Sequence, residues 1–304
     1  MENFSDDVKF VVTGGAGFIG SNIVRQLLKQ NHTPIVIDNM YRGDVERISS
    51  LGVENHKVDI RDFEQIRNII KNSDGVFHEA ALTDVQESFT KQQEYNDVNV
   101  KGTENIFKIA KELDLKVVYA SSSSIYGNPK KIPIGENSER NPINPYGKTK
   151  LDDELLAEKY SKDNASIIGL RYFNIYGKGQ TGSYAGVITK FINRLKEKKS
   201  PIIFGSGTQL RDFIFVEDVA LANIAAMQSN VKNGFFNIGT GIATSIQQLA
   251  EIMIEISGLE LEPQYEKALD GDVQSSQADT SVTESILKWK YSTELKKGLS
   301  KFFV

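Results

Sequence analysis

Cysteine is absent from the 304 residues. That excludes disulfides, thiolate nucleophiles and Cys-ligated metals, and it fits a reducing compartment. Histidine is scarce: His32, His56 and His78 are scattered, so no metal site is expected. No apolar run approaches the ~20 residues that a membrane span needs. Met1–Asp7 is polar and acidic, without the basic and apolar regions of a secretory signal, so a cytoplasmic protein with no membrane partner is expected. Positive charge is not in excess. With 36 Lys and Arg against 40 Asp and Glu, the formal net charge is -4, which argues against a sequence-independent grip on nucleic acid. The densest basic spot, Lys196–Lys199, reads as a solvated helix end. What is present is an ordinary globular balance, 39% hydrophobic and 25% charged, enough for a sizeable core. The length suits one large α/β domain with a smaller appended part.

Short apolar runs alternate with helical patterns over the first 125 residues. Val8–Thr13, Pro34–Ile37, Val76–Glu79 and Lys116–Ala120 read as buried strands. Ser21–Gln30, Asp62–Lys71 and Asn99–Leu113 repeat apolar residues at helical spacing. This alternation predicts a doubly wound parallel sheet of the Rossmann type, covered on both faces. Tyr126–Pro145, rich in Pro, Gly and Asn, reads as a surface loop, followed by a long amphipathic helix over about Tyr146–Lys162 and a strand over Ile167–Tyr172. After Gly177 the pattern becomes mixed: helices near 186–198, 217–228 and 245–257, and a strand near 213–216. The expected division is a Rossmann domain over 1–177 with a return segment near 211–243, and a smaller mixed α/β substrate domain over 178–304.

Residues 11–20 read VVTGGAGFIG. Gly14, Gly17 and Gly20 follow a strand and lead into a helix. In a dinucleotide fold the first glycine permits the tight turn, the second lets the backbone approach a pyrophosphate, and the third lets helix and strand pack closely. The phosphates then rest on the helix N-terminus. Asp38 ends the second strand at the distance expected for a ribose diol contact. Its charge would repel a 2′-phosphate, which favours NAD over NADP. Arg42, close by, is a candidate to receive that phosphate or simply a solvated loop arginine.

Tyr-x-x-x-Lys puts both side chains on one helix face. The lysine charge favours phenolate, and a phenolate can take the proton of an alcohol as hydride leaves. The spacing occurs twice, at Tyr126/Lys130 and Tyr146/Lys150. Gly127, Asn128 and Pro129 break any helix after Tyr126, so the second pair is the candidate. The serine run Ser121–Ser124 follows a strand, where doubly wound sheets bind ligands. Taken alone it reads as a polar turn.

With these motifs in place, the chain resembles the extended short-chain dehydrogenase/reductases, specifically the nucleotide-sugar 4-epimerases, nearly end to end. The resemblance rests on TGGAGFIGS, VDIRD (58–62), HEAAL (78–82), NVKGTEN (99–105), YASSSSIYG (119–127), NPYGKTK (144–150), LRYFNIYG (170–177), RDFIFVEDVA (211–220), FNIGTG (236–241) and GDVQSSQAD (271–279). It implies that Tyr146 is the base, that Lys150 holds the nicotinamide ribose and tunes Tyr146, and that Ser122 is the serine partner. It implies NAD contacts at Gly14, Gly17, Phe18, Ile19, Gly20, Asp38, Asn39, Ala80, Ala81, Asn99 and Tyr172, with Asp59 and Ile60 flanking adenine. Thr83, Ser122, Ser123, Ser124, Asn174, Val187, Phe204, Arg211, Asp272 and Ser276 would meet a UDP-sugar. Ser123 and Ser124 fall where the related 4,6-dehydratases carry Asp-Glu, which argues against elimination of water. The implied cycle keeps NAD bound and passes through a 4-keto sugar; a homodimer through the helices near 99–113 and 146–162 is also implied.

Two departures stand out. Leu269 occupies a position that commonly holds arginine. Ser276 is small where epimerases restricted to plain hexoses are bulky, so UDP-N-acetylglucosamine is expected as a substrate beside UDP-glucose. The alternatives are epimerisation or decarboxylation of a UDP-uronic acid on the same scaffold, and a non-catalytic NAD-binding scaffold, for which a damaged Tyr, Lys or Ser would be expected.

Overall fold

The computed structural model describes residues 8–180, 186–268 and 274–303. Twelve strands run in chain order among the described residues: β1 Lys9–Thr13, β2 Thr33–Ile37, β3 Glu54–His56, β4 Gly75–His78, β5 Lys116–Ser122, β6 Ser166–Tyr172, β7 Asn174–Tyr176, β8 Ile202–Phe204, β9 Leu210–Phe215, β10 Asn233–Ile238, β11 Ala243–Ser245 and β12 Gln264–Glu266. Seven of them form one sheet in the order β10-β6-β5-β4-β1-β2-β3. Every pairing in it is parallel, in registers such as Val12 with Val36 and with Phe77. The order reverses between β1 and β4, and a doubly wound sheet opens its ligand crevice at that switch point.

Both faces of the sheet are covered, as its apolar strands require. On one face, helices Phe18–Lys29 and Val216–Gln228 carry Ile23, Leu27, Val219 and Met227 onto Val12, Phe77 and Ile168. On the other, helices Phe63–Ile70, Gly102–Glu112 and Pro145–Lys162 bring Ile66, Phe107 and Ala157 onto Val11, Val117 and Tyr119. A second core gathers Tyr176, Phe191, Phe213, Leu249, Met253 and Leu299 around a three-stranded sheet, β11-β9-β7. The chain rejoins the main sheet through Val216–Gln228 and β10, which pairs with β6. No described helix is long and apolar enough to cross a membrane.

The expected strands and helices are present, with four differences. Asn99–Leu113 is not one α-helix: a π-helical stretch, Asn96–Lys101, precedes Gly102–Glu112. In the main sheet β3 (ENH) and β10 went unread, as did the three-residue strands β7, β8, β11 and β12 outside it. β3 is short, polar and at the sheet edge, so it shows no apolar run, and β10 contains Gly234. The helix after the loop begins at Pro145, because Asn144 caps it by accepting from the Gly147 N–H at 2.7 Å and proline suits the first turn. Its amphipathic reading also needs correction. Gly147, Lys150, Glu154 and Ala157 keep helical spacing on the buried side, but that side is largely charged, while Leu155 is exposed. Such a face is tolerated only where buried charges are paired.

Candidate active site

The glycine loop folds on itself before it can receive anything. Gly14 has φ +66°, and a side chain there would meet the Ala80 backbone N at 2.8 Å. A Cβ at Gly20 would lie 2.2 Å from the Gly14 carbonyl oxygen, and one at Gly17 2.9 Å from the same atom. Tight turn and close helix packing are therefore sufficient reasons for all three glycines, including the one expected to admit a pyrophosphate. The loop still delivers a helix start: Phe18–Lys29 has no side-chain cap and no acidic residue in its first turn. Such an end favours an anion.

That helix start walls a cavity of about 480 Å³ on the C-terminal side of the sheet. Gly14, Gly17, Phe18, Ile19, Gly20, Asp38, Asn39, Ile60, Ala80, Ala81, Thr83, Ser122, Tyr146, Lys150 and Tyr172 line it, residues far apart in sequence. The Asp38 carboxylate accepts from the Ala16 N–H at 3.1 Å and the Met40 N–H at 2.9 Å. Burial raises its pKa against those bonds and the Arg47 charge. Arg42 also lines the cavity, ion-paired to Glu87.

Asp59 and Asn99 lie outside this lining. The Asp59 carboxylate takes two bonds from Arg61, each 2.8 Å, and one from Asn39, and Arg61 chiefly holds its pKa well below the usual range. Asn99 is fully buried; it accepts from the Leu82 N–H, donates to the Leu82 carbonyl and donates to Thr149 Oγ1. It thus positions Leu82, which does line the cavity. Ser123 and Ser124 also fall outside. Ser124 donates its backbone N–H to Ser122 Oγ at 3.1 Å, and the Ser122 hydroxyl bonds Ser124 Oγ, so the serine run is partly the polar turn it resembles.

The two tyrosine–lysine pairs separate. Tyr126 is buried away from the cavity: its hydroxyl donates to Asn237 Oδ1 at 2.8 Å and accepts from Arg171 at 2.7 Å. Lys130 is exposed and paired with Glu139. Tyr146 and Lys150 share the cavity wall, and the Tyr146 hydroxyl has no hydrogen-bond partner among the described residues. Lys150 Nζ, 3% exposed as a residue, donates to Asp153 Oδ2 at 3.2 Å. Burial opposes its charge, but Asp153, Tyr146 and Glu79 outweigh that and raise its pKa. Burial in turn pushes Asp153 up to about 7, with Lys150 opposing. His78, lodged between Thr13 and Thr103, is driven down to about 3 by burial and the Lys150 charge, and stays neutral. On the wall that holds the free Tyr146 phenol, Lys150 is therefore a firmly charged cation.

A second cavity, about 770 Å³, is lined by Asn174, Val187, Phe204 and Arg211, together with Lys190, Phe191, Arg194 and Phe213. Ile175 and Gln180 line both cavities. Ser276 lines neither; it is buried beside β9, donating its N–H to the Leu210 carbonyl next to Arg211. Asp272 and Leu269 lie outside the described residues. Sequence reasoning missed Glu79, Arg47 and Phe173 as cavity residues. Glu79 stood in HEAAL beside Ala80 and Ala81, and adjacency was the signal to use.

The NAD-dependent epimerase/dehydratase family model matches residues 10–239. A Methanocaldococcus jannaschii protein, provisionally named a UDP-glucose 4-epimerase, is 40% identical over 96% of both chains. Two solved structures are similar: UDP-glucose 4-epimerase of Thermotoga maritima with UDP-glucose, 32% identical over 97% of each chain with a TM-score of 0.92, and UDP-N-acetylglucosamine 4-epimerase of Methanobrevibacter ruminantium with UDP-N-acetylmuramic acid, 32% identical over 98% of each with a TM-score of 0.93. The chain belongs to the NAD-dependent epimerase/dehydratase family.

Proposed function

We propose that the chain is a 4-epimerase of UDP-sugars that keeps NAD bound. One observation carries this reading: Tyr146, Lys150 and Ser122 line the cavity of the glycine loop and Asp38, and that cavity adjoins the one walled by Arg211. The uncapped helix start suits the cofactor's pyrophosphate, and Asp38 suits the adenosine ribose. NAD supplies a hydride acceptor that gives the hydride back. Tyr146 takes the proton of the sugar C4 hydroxyl, Lys150 favours the phenolate, and the Ser122 hydroxyl bridges the substrate oxygen and Tyr146. Oxidised C4 is planar. The keto sugar turns over in the cavity, and the proton held by Tyr146 returns to oxygen as the other face is reduced.

Arg211 suits the diphosphate, since a guanidinium grips it in a bidentate way. Similarity to both a UDP-glucose and a UDP-N-acetylglucosamine 4-epimerase supports activity on both sugars. A cytoplasmic homodimer through helices Gly102–Glu112 and Pro145–Lys162 completes the proposal; Leu155, 46% exposed on the second helix, supports it, and light scattering tests it. The deciding experiment incubates the purified protein with UDP-N-acetylglucosamine, no cofactor added, and follows the anomeric protons by NMR. UDP-N-acetylgalactosamine is expected. Turnover of UDP-glucose with none of the acetamido sugar removes the Ser276 argument, and turnover of UDP-glucuronate alone removes the hexose assignment.

A further inference from the structure

Glu79 extends from the end of β4 into the wall that also holds Lys150, Tyr146 and Tyr172. Its Oε1 accepts from the Tyr172 hydroxyl at 2.9 Å, and that hydroxyl in turn accepts from Asn223 at 2.8 Å. Its Oε2 is buried with no hydrogen-bond partner. A carboxylate oxygen left this way is costly when ionised. Burial accordingly raises the Glu79 pKa to about 8, although the Tyr172 bond and the Lys150 charge oppose it. Titratable and charged groups stand around it on each neighbouring element, and of these Tyr172 and Lys150 act on it directly. β4 contributes His78, neutral; β6 contributes Tyr172, held well above its ordinary pKa by burial; the helix Pro145–Lys162 contributes Tyr146, Lys150 and Asp153; and the helix Val216–Gln228 contributes the uncharged Asn223.

Lys150 is the cation among them. While Glu79 keeps its proton, Lys150 bonds Asp153 and its charge acts on the Tyr146 phenol. Once Glu79 ionises, a second carboxylate competes for the same cation, and a phenolate at Tyr146 becomes a further buried anion. Like charges at short range disfavour one another's ionisation. We propose that Glu79 is a positioning residue that must carry a proton for Lys150 to favour the Tyr146 phenolate, so that its ionisation closes the alkaline side of the activity. This rests on Tyr146 being the base of the proposed function.

The test compares the wild-type protein with Glu79→Gln, which keeps the shape and stays neutral. Two quantities are read against pH: kcat/KM for the UDP-sugar, and the near-ultraviolet phenolate absorbance of Tyr146, isolated by subtracting Tyr146→Phe. The wild type should lose kcat/KM as Glu79 ionises, roughly tenfold per pH unit once past that point, and Glu79→Gln should raise the ratio of alkaline to neutral activity by about that factor. Its phenolate should form at lower pH than in the wild type. Profiles of the same shape, whether superimposed or uniformly lowered, would overturn the proposal, because a merely structural Glu79 scales activity without moving the limb. Should Glu79→Gln fail to fold, Tyr172→Phe removes the bond that lowers the Glu79 pKa and should move the alkaline limb upward; an unmoved limb refutes it. The phenolate titration needs no turnover, so it separates failure here from failure of the epimerase reading.

Discussion

Removing one hydroxyl from each of the two Tyr-x-x-x-Lys tyrosines should give opposite phenotypes. In Tyr126→Phe the hydroxyl lost is a buried one, leaving Asn237 Oδ1 without its donor and taking one acceptor from Arg171. Arg171 keeps the Glu136 carbonyl and both Glu154 oxygens, so one orphaned acceptor dominates, at a cost of about 1–3 kcal/mol. Unfolding entropy of about 2.1 cal/mol/K per residue gives roughly 0.6 kcal/mol/K for a chain of this length, hence a Tm lower by about 2–5 °C. Its kcat should stay within about threefold, since the ring touches neither cavity, whereas loss of a positioned acid–base group costs a factor of 10² to 10⁴, roughly. Tyr146→Phe loses no protein hydrogen bond among the described residues, so its Tm should stay within about 1 °C while kcat falls by that factor. Circular dichroism melting and the NMR assay read the two quantities. Turnover abolished by Tyr126→Phe at unchanged Tm, or kept by Tyr146→Phe, would refute the assignment.

The other consequences concern single side chains. Arg211→Ala should raise KM for the UDP-sugar about 10- to 150-fold, the loss of a charged hydrogen-bond donor, with a smaller change in kcat; steady-state kinetics check this, and an unchanged KM places the diphosphate elsewhere. Asp38→Ala removes the acceptor for the Ala16 and Met40 N–H groups together with the expected ribose contact, so protein purified without added cofactor should carry less NAD per chain, measured by extraction. Glu154→Ala strips partners from Arg171, Arg140 and Ser121. Leaving a buried guanidinium uncompensated costs about 3–5 kcal/mol, which should lower Tm by roughly 5–8 °C; a melt unchanged from wild type would show the cluster to be dispensable.

Much of this was legible in the order of residues. Strand–glycine–helix punctuation set the Rossmann class, because turn sterics and helix periodicity are local. Helix breaking by Gly127 and Pro129 separated Tyr126 from Lys130, and Asp38 ended its strand at the required distance. Tertiary structure alone decided the rest. The charged underside of Pro145–Lys162 looks like a solvent face until Arg171 arrives from β6 to pair with Glu154. Asp59 and Asn99 match their motifs, yet their hydrogen bonds are taken by Arg61 and Leu82 rather than turned toward the cavity. Glu79 differs from an exposed glutamate because the fold buries it, against a bond from Tyr172, 93 positions on, and the Lys150 charge. Periodicity and turn chemistry act between neighbours in sequence; burial and charge coupling act between neighbours in space, and only the folded sheet determines which residues those are.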